Sequence, residues 1–208
     1  MGNFKLFYDT ETSGLPLFSE PSEDPRQPHI VQLAALLVND DTGDTISSID
    51  IVCRSQGLVI PDDVAKIHGI TTEYAMDVGI SEQSAVEMLI DMWRNRPRIG
   101  HNEQFDARII RIALKRFSDK DRPFDKNDIS DVWKASPAEC TARLSTPICK
   151  LPPTEKMVAA KRLHHKTPTM TEAYECIIGK KMENAHSAMA DVLACKDVYY
   201  AIKKESVQ

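Results

Sequence analysis

The chain has 208 residues, 42% of them hydrophobic, and a formal net charge of -5 with a pI near 5.7. That length suits a single domain, expected over 1–208, with a substantial core. The acidic balance argues against a protein that coats duplex nucleic acid through broad electrostatics, though not against an enzyme that grips a few nucleotides through metals and local donors. The five cysteines, at 53, 140, 149, 176 and 195, contain no Cys-x-x-Cys pair. With no basic-then-apolar leader in view, they predict reduced thiols in a cytoplasmic, intracellular protein. The longest apolar run, Leu33 to Val38, is far short of the ~18 residues of a membrane span.

The first element is a strand over Phe4–Tyr8, leading into Asp9-Thr10-Glu11-Thr12. A strand repeats every second residue, so Asp9 and Glu11 point to one face at its end. Two adjacent carboxylates repel unless a cation lies between them, and hard divalent metals prefer such oxygens. The plainer alternative is a strand running into a polar turn with solvated acids. Residues 16–29, with Pro16, Pro21, Pro25 and Pro28, read as a surface loop bordering the same place. Ile30–Val38 and Thr45–Cys53 read as two further strands around the turn Asn39–Asp44, which gives an antiparallel meander.

Pro61–His68 reads as a short helix closed by Gly69. Ser81 is placed to cap a longer helix through about Asn95, with Val86, Leu89, Ile90 and Trp93 at helical spacing. The following Arg94, Arg96 and Arg98 read as a solvated surface rather than as phosphate contacts. A short strand over Arg98–Asn102 leads into a helix over Glu103–Phe117. Residues 118–128 read as a charged loop, and 145–168 as irregular chain around a short helix, including the basic run Lys161–Lys166. Helices over Thr169–Ile178, closed by Gly179, and Ser187–Lys203 complete the chain. Strands followed by alternating helices and strands predict an α/β fold with a mixed sheet and helices on both faces.

Asp106 and Asp191 both fall near predicted helix starts, where an acid is already favoured by the helix dipole. His186 lies five positions before Asp191, about 140° away on an ideal helix. The two converge only if His186 stands on the preceding loop. Taken in order, Asp9-x-Glu11, Asn102-x-x-Phe105-Asp106 and His186-x-x-x-x-Asp191 resemble the three motifs of the DEDDh (DnaQ-like) 3′–5′ exonucleases, and Ile67-His68-Gly69-Ile70-Thr71 resembles a further family segment. The family includes the epsilon proofreading subunit of DNA polymerase III and ribonuclease T.

The resemblance implies an RNase H-like sheet, antiparallel in its first three strands and then parallel, and a two-metal site using Mg²⁺, with Mn²⁺ able to substitute. Asp9, Glu11 and Asp191 would be the main metal ligands, with Asp106 binding directly or through water and His186 acting as general base. Thr10, Thr12, Leu15, Asn102 and Phe105 would meet the terminal nucleotide; for Leu15 and Phe105 core packing is the alternative. Asn102 is expected to brace the site by hydrogen bonds. The implied partners are 3′ ends of single-stranded nucleic acid, with DNA favoured over RNA, and a homodimer or a polymerase partner, with no membrane. An accessory binding module and a small-nucleotide hydrolase are the rival functions. Gln32 departs from the family, standing where many relatives carry an acid.

Overall fold

The computed structural model describes residues 2–54, 57–118 and 129–205. In chain order its elements are β1 (Phe4–Thr12), β2 (Ile30–Asn39), β3 (Thr45–Arg54), α1 (Asp62–His68), α2 (Thr72–Val78), β4 (Ile80–Ser81), α3 (Glu82–Trp93), β5 (Arg98–Gly100) and α4 (Glu103–Arg116). They continue as α5 (Ile129–Ala135), β6 (Ala138–Cys140), α6 (Thr141–Cys149), α7 (Glu155–Ala159), α8 (Met170–Ile178) and α9 (Ala188–Glu205). The strands form one sheet in the order β4-β3-β2-β1-β5-β6. β1, β2 and β3 pair antiparallel, while β5 joins β1 and β6 joins β5 in parallel, as expected for an RNase H-like sheet.

Alternation along β1 decides what each face carries. Leu6 and Tyr8 pack with Leu33, Leu89, Trp93, Ile109, Ile110 and Trp133, under α3, α4 and α5. Phe7 points the other way, into a second core with Ala34, Leu36, Val192, Val198 and Tyr199, under α8 and α9. Continued two residues at a time, this pattern puts Asp9 and Glu11 on the α9 face and Thr10 and Thr12 on the α4 face.

The capping signals hold where they were strong. Gly69 and Gly179 take the left-handed backbone (φ 77° and 74°) that ends α1 and α8, a conformation glycine adopts without strain. Ser81 accepts the Ser84 N–H at the start of α3, and Thr169 forms a reciprocal capping box with Glu172 on α8.

Several expectations change. β1 continues past Tyr8 to Thr12, because the ladder to β2 persists through the acidic pair. Within the stretch expected to be irregular, α6 extends to Cys149 with Pro147 inside it; α8 and α9 pack against this helix. That tertiary support outweighs the hydrogen bond proline cannot donate. The unexpected helices α2 and α5 are short, and the edge strands β4 and β6 have two and three residues, too few for a readable period. Most of the predicted 118–128 loop lies outside the described residues. Arg98 is not solvated surface: it is buried, its guanidinium lies 4.0 Å from the Trp133 ring centroid, and it pairs with Glu103 at 3.4 Å. Cys149 and Cys176 are joined in a disulfide between α6 and α8, against the expectation of reduced thiols, whereas Cys53, Cys140 and Cys195 are free. Among the described residues no helix is long and apolar enough to cross a membrane.

Candidate active site

The odd face of β1 delivers Asp9 and Glu11 beneath the first turn of α9, which carries Asp191. Ligand oxygens of the three acids lie within 4.8 Å of one another. No lysine or arginine pairs with them among the described residues. Burial, then Asp106, Asp191 and Glu11, hold the Asp9 carboxyl well above the usual carboxylate range. Burial, followed by Asp191 and Asp106, pushes Glu11 to about 8. Asp191 is raised to about 6 by burial, opposed by His186. Desolvated carboxylates that favour their protons are a donor set short of positive charge, which a divalent cation satisfies.

Asp106 approaches from the other side. Its Oδ1 accepts the Thr10 N–H at 3.0 Å and the Thr10 hydroxyl at 2.7 Å, so it grips β1 between the two acids. It is buried and raised to about 7 by that burial, although both Thr10 bonds favour the charged form. Its electrostatic reach to Asp9 and Glu11 joins it to the acidic group without placing its oxygens inside the three-acid cluster.

His186 stands off the helix, as the spacing required. It is exposed, with φ 69°, two residues before α9, and its backbone N–H donates to the Asp191 carboxylate. Asn102, at φ 62°, makes the turn from β5 into α4; its exposed side chain forms no bracing hydrogen bond among the described residues, contrary to expectation. Asparagine tolerates this left-handed backbone better than most residues. Phe105 is half-buried against the α4-side core, while Leu15 is 75% exposed. The core alternative therefore accounts for much of Phe105 and fails for Leu15. Thr12 is buried, and its hydroxyl donates to the Gly14 carbonyl at 2.8 Å.

Other residues shape the surroundings without having been singled out. His101, for which the sequence suggested no role, donates from Nε2 to the Pro168 carbonyl at 3.0 Å and lies 3.0 Å from the Thr141 hydroxyl through Nδ1. It ties the β5–α4 turn to the segments around α6 and α8. The proline loop is closed at its base by Ser13 and His29 and built around buried Gln27, whose side chain bonds the backbone of Leu17 and Pro21. Glu82, buried at the start of α3, accepts the Ile30 N–H and pairs with His29 and Arg116. Only the three-dimensional pairing reveals these roles, since each residue type is common on surfaces. In the basic 161–166 run, Lys166 pairs with Glu172 and the other five residues are exposed.

An RNase H-like sheet with a half-buried acidic cluster beneath its last helix defines a hydrolase of the nuclease class. Residues 6–199 match the profile of the exonuclease family named for RNase T. The chain belongs to that RNase T (DnaQ-like) exonuclease family. No curated protein matches it by sequence. Among solved structures it is similar in fold to Escherichia coli Exonuclease I in a zinc-bound complex with single-stranded DNA (TM-score 0.68, 19% identity, covering 100% of this chain and 42% of that one). The same enzyme with a dT13 oligonucleotide gives TM-score 0.68 at 19% identity over 99% of this chain and 42% of that one. The moderately thermophilic Exonuclease I of Methylocaldum szegediense gives 0.67 at 18%, over 99% and 41%. The chain thus spans about two fifths of the length of these Exonuclease I chains.

Proposed function

We propose that the chain is a divalent-metal-dependent 3′–5′ exonuclease of the DEDDh type that removes nucleoside 5′-monophosphates from single-stranded 3′ ends, with DNA favoured. The observation that carries this reading is the convergence of Asp9, Glu11 and Asp191 within one ion's reach, with His186 on the adjoining loop. Asp9, Glu11 and Asp191 would hold the metal, two Mg²⁺ ions with Mn²⁺ able to replace them, and Asp106 would contribute directly or through water. Such ions, when bound, supply Lewis-acid stabilisation of the attacked phosphate and a more acidic water. His186, exposed and beside Asp191, takes the proton of the attacking water. Asp106 fixes the Thr10 backbone and so holds the acids of β1 in line. Leu15, free of the core, contacts the terminal base, and the backbone at Thr10–Thr12, with Asn102 and Phe105, borders the same nucleotide.

The DNA preference draws on E. coli Exonuclease I, solved with dT13 and dA16 oligonucleotides. RNA is the alternative substrate, since ribose discrimination needs a contact to the 2′-hydroxyl. The test uses 5′-labelled single-stranded DNA and RNA of one sequence, in Mg²⁺ or Mn²⁺ against EDTA, beside Asp9→Ala. A metal-dependent ladder shrinking from the 3′ end, lost in the variant, is the expected result. Cleavage by Asp9→Ala at the normal rate would remove the metal assignment.

A further inference from the structure

A second concave feature lies away from the three-acid cluster. α4 forms one wall, and the end of α5, β6 and the start of α6 form the rest of an open groove of about 600 Å³. Five basic side chains line it: Arg98, Arg108, Arg111, Lys134 and Arg143. Its two acids are both engaged, Glu103 in part with Arg98 of the groove itself. Glu103 accepts the Tyr8 hydroxyl and pairs with Arg98, and Glu139 bonds Tyr199 and Lys203. Arg108 donates to the Glu20 carbonyl, whereas Arg111, Lys134 and Arg143 make no ion pair among the described residues. Buried Arg98 leaves Nε and Nη1 without a hydrogen-bond partner. A chain of net charge -5 has therefore gathered in one hollow three cations, Arg111, Lys134 and Arg143, that have no ion pair among the described residues.

The groove leads away from the acidic cluster. Gln104 shares the first turn of α4 with Asp106, and Arg111 lies seven residues on, about 10 Å along the helix. β6 is two strands from β1, on the order of 10 Å across the sheet. Cations spread over that length suit a linear polyanion better than a single phosphate, and guanidinium groups match phosphate oxygens in a bidentate manner. We propose that this groove binds the phosphodiester backbone of the nucleic-acid strand upstream of the nucleotide being removed. The proposal rests on the exonuclease reading for the strand's identity.

The test compares the wild type with Lys134→Glu/Arg143→Glu, two exposed positions. Anisotropy of a 5′-labelled strand of about 20 nucleotides is followed across salt in EDTA; loss of two phosphate contacts makes the log–log salt slope shallower by about 1.4. In Mg²⁺, hydrolysis of that strand is compared with hydrolysis of a trinucleotide too short to fill the groove, and the variant loses the long-strand advantage by about tenfold. Arg111→Gln serves as a second variant should the double one fold poorly, with a slope change of about 0.7. Unchanged slopes overturn the proposal. So does an equal loss on both substrates, or displacement of the long strand by nucleoside monophosphate at equal phosphate concentration, which marks a small-anion site. A slope change in a protein that cleaves neither strand supports the groove and removes the exonuclease reading.

Discussion

Gln32 Oε1 accepts the backbone N–H of Ala188 at 3.2 Å, joining β2 to the first residue of α9. Its Nε2 donates to Asp50 Oδ1 at 2.7 Å on β3. Gln32 is the ladder partner of Glu11 and shares its face, so this one buried amide sets the helix carrying Asp191 against the strand carrying Glu11. The amide serves because it is donor and acceptor at once. Gln32→Ala should cost about 1–3 kcal/mol, the usual loss when a buried partner goes unmet. Gln32→Glu should do no better, since a carboxylate would face Asp50. Urea unfolding of both variants, with turnover in parallel, checks this; a Gln32→Glu protein as stable and active as the wild type would remove the amide's role.

The acids and the base should separate kinetically. His186→Ala should lower kcat by ~10²–10⁴-fold with little change in the Mg²⁺ concentration giving half-maximal activity. Asp9→Asn should abolish turnover yet make the metal-free protein more stable near pH 8, because burial and the neighbouring acids disfavour the Asp9 carboxylate, which an amide replaces without charge. Denaturation in EDTA beside steady-state kinetics distinguishes the two effects; a less stable Asp9→Asn protein contradicts the crowding.

Stability without metal should fall as pH rises. Glu11 and Asp191 are raised to about 8 and about 6, above unfolded values of about 4.3 and 3.9. The folded state thus binds protons that the unfolded state has already released. Its advantage is complete below about pH 4 and disappears as pH climbs through 6 and then 8. On the proposed reading a divalent cation takes over the role of those protons, so Mg²⁺ should raise the melting temperature more at about pH 8 than at about pH 5. Calorimetry with and without Mg²⁺ tests this, and a metal effect independent of pH would contradict it.

Leu15 is exposed in the chain that follows β1. Leu15→Ala should leave stability within about 0.5 kcal/mol, as for an exposed substitution. A several-fold rise in KM is expected for a single strand, with little change in kcat. Loss of stability instead would return Leu15 to the core.

Reduction of Cys149–Cys176 should destabilise the protein. The bridge spans 27 residues, for which chain entropy alone predicts about 3.5 kcal/mol. Thermal melts with and without dithiothreitol should differ in the wild type and coincide in Cys176→Ser.

The site was most legible where a local period carried it. The alternation at Asp9 and Glu11 survives as one face of β1, and the five-residue step from His186 to Asp191 correctly required a loop-borne histidine. Asp106 was readable as an acid at a helix start, but not as the residue holding Thr10, since that needs α4 to pass over the opposite face of β1. Gln32 stood out only as a departure from a pattern; its function depends on a contact 156 positions away. Arg98 was misread because arginine beside other arginines resembles a surface, and nothing local announces Trp133 beneath it. The irregular reading from residue 145 onward missed the end of α6, which holds Pro147 and which packing nevertheless stabilises.

The sheet's borders have a consequence for handling and architecture. Among the described residues β4 covers β3 only at Cys53 and Arg54, so the outer edge of β3 over Thr45–Val52 is left without a strand partner. An uncovered edge of that length is a place where a strand of another copy can pair. Pairing there would extend the sheet beyond β3 and leave the β1–β2 ladder that aligns the acidic residues undisturbed.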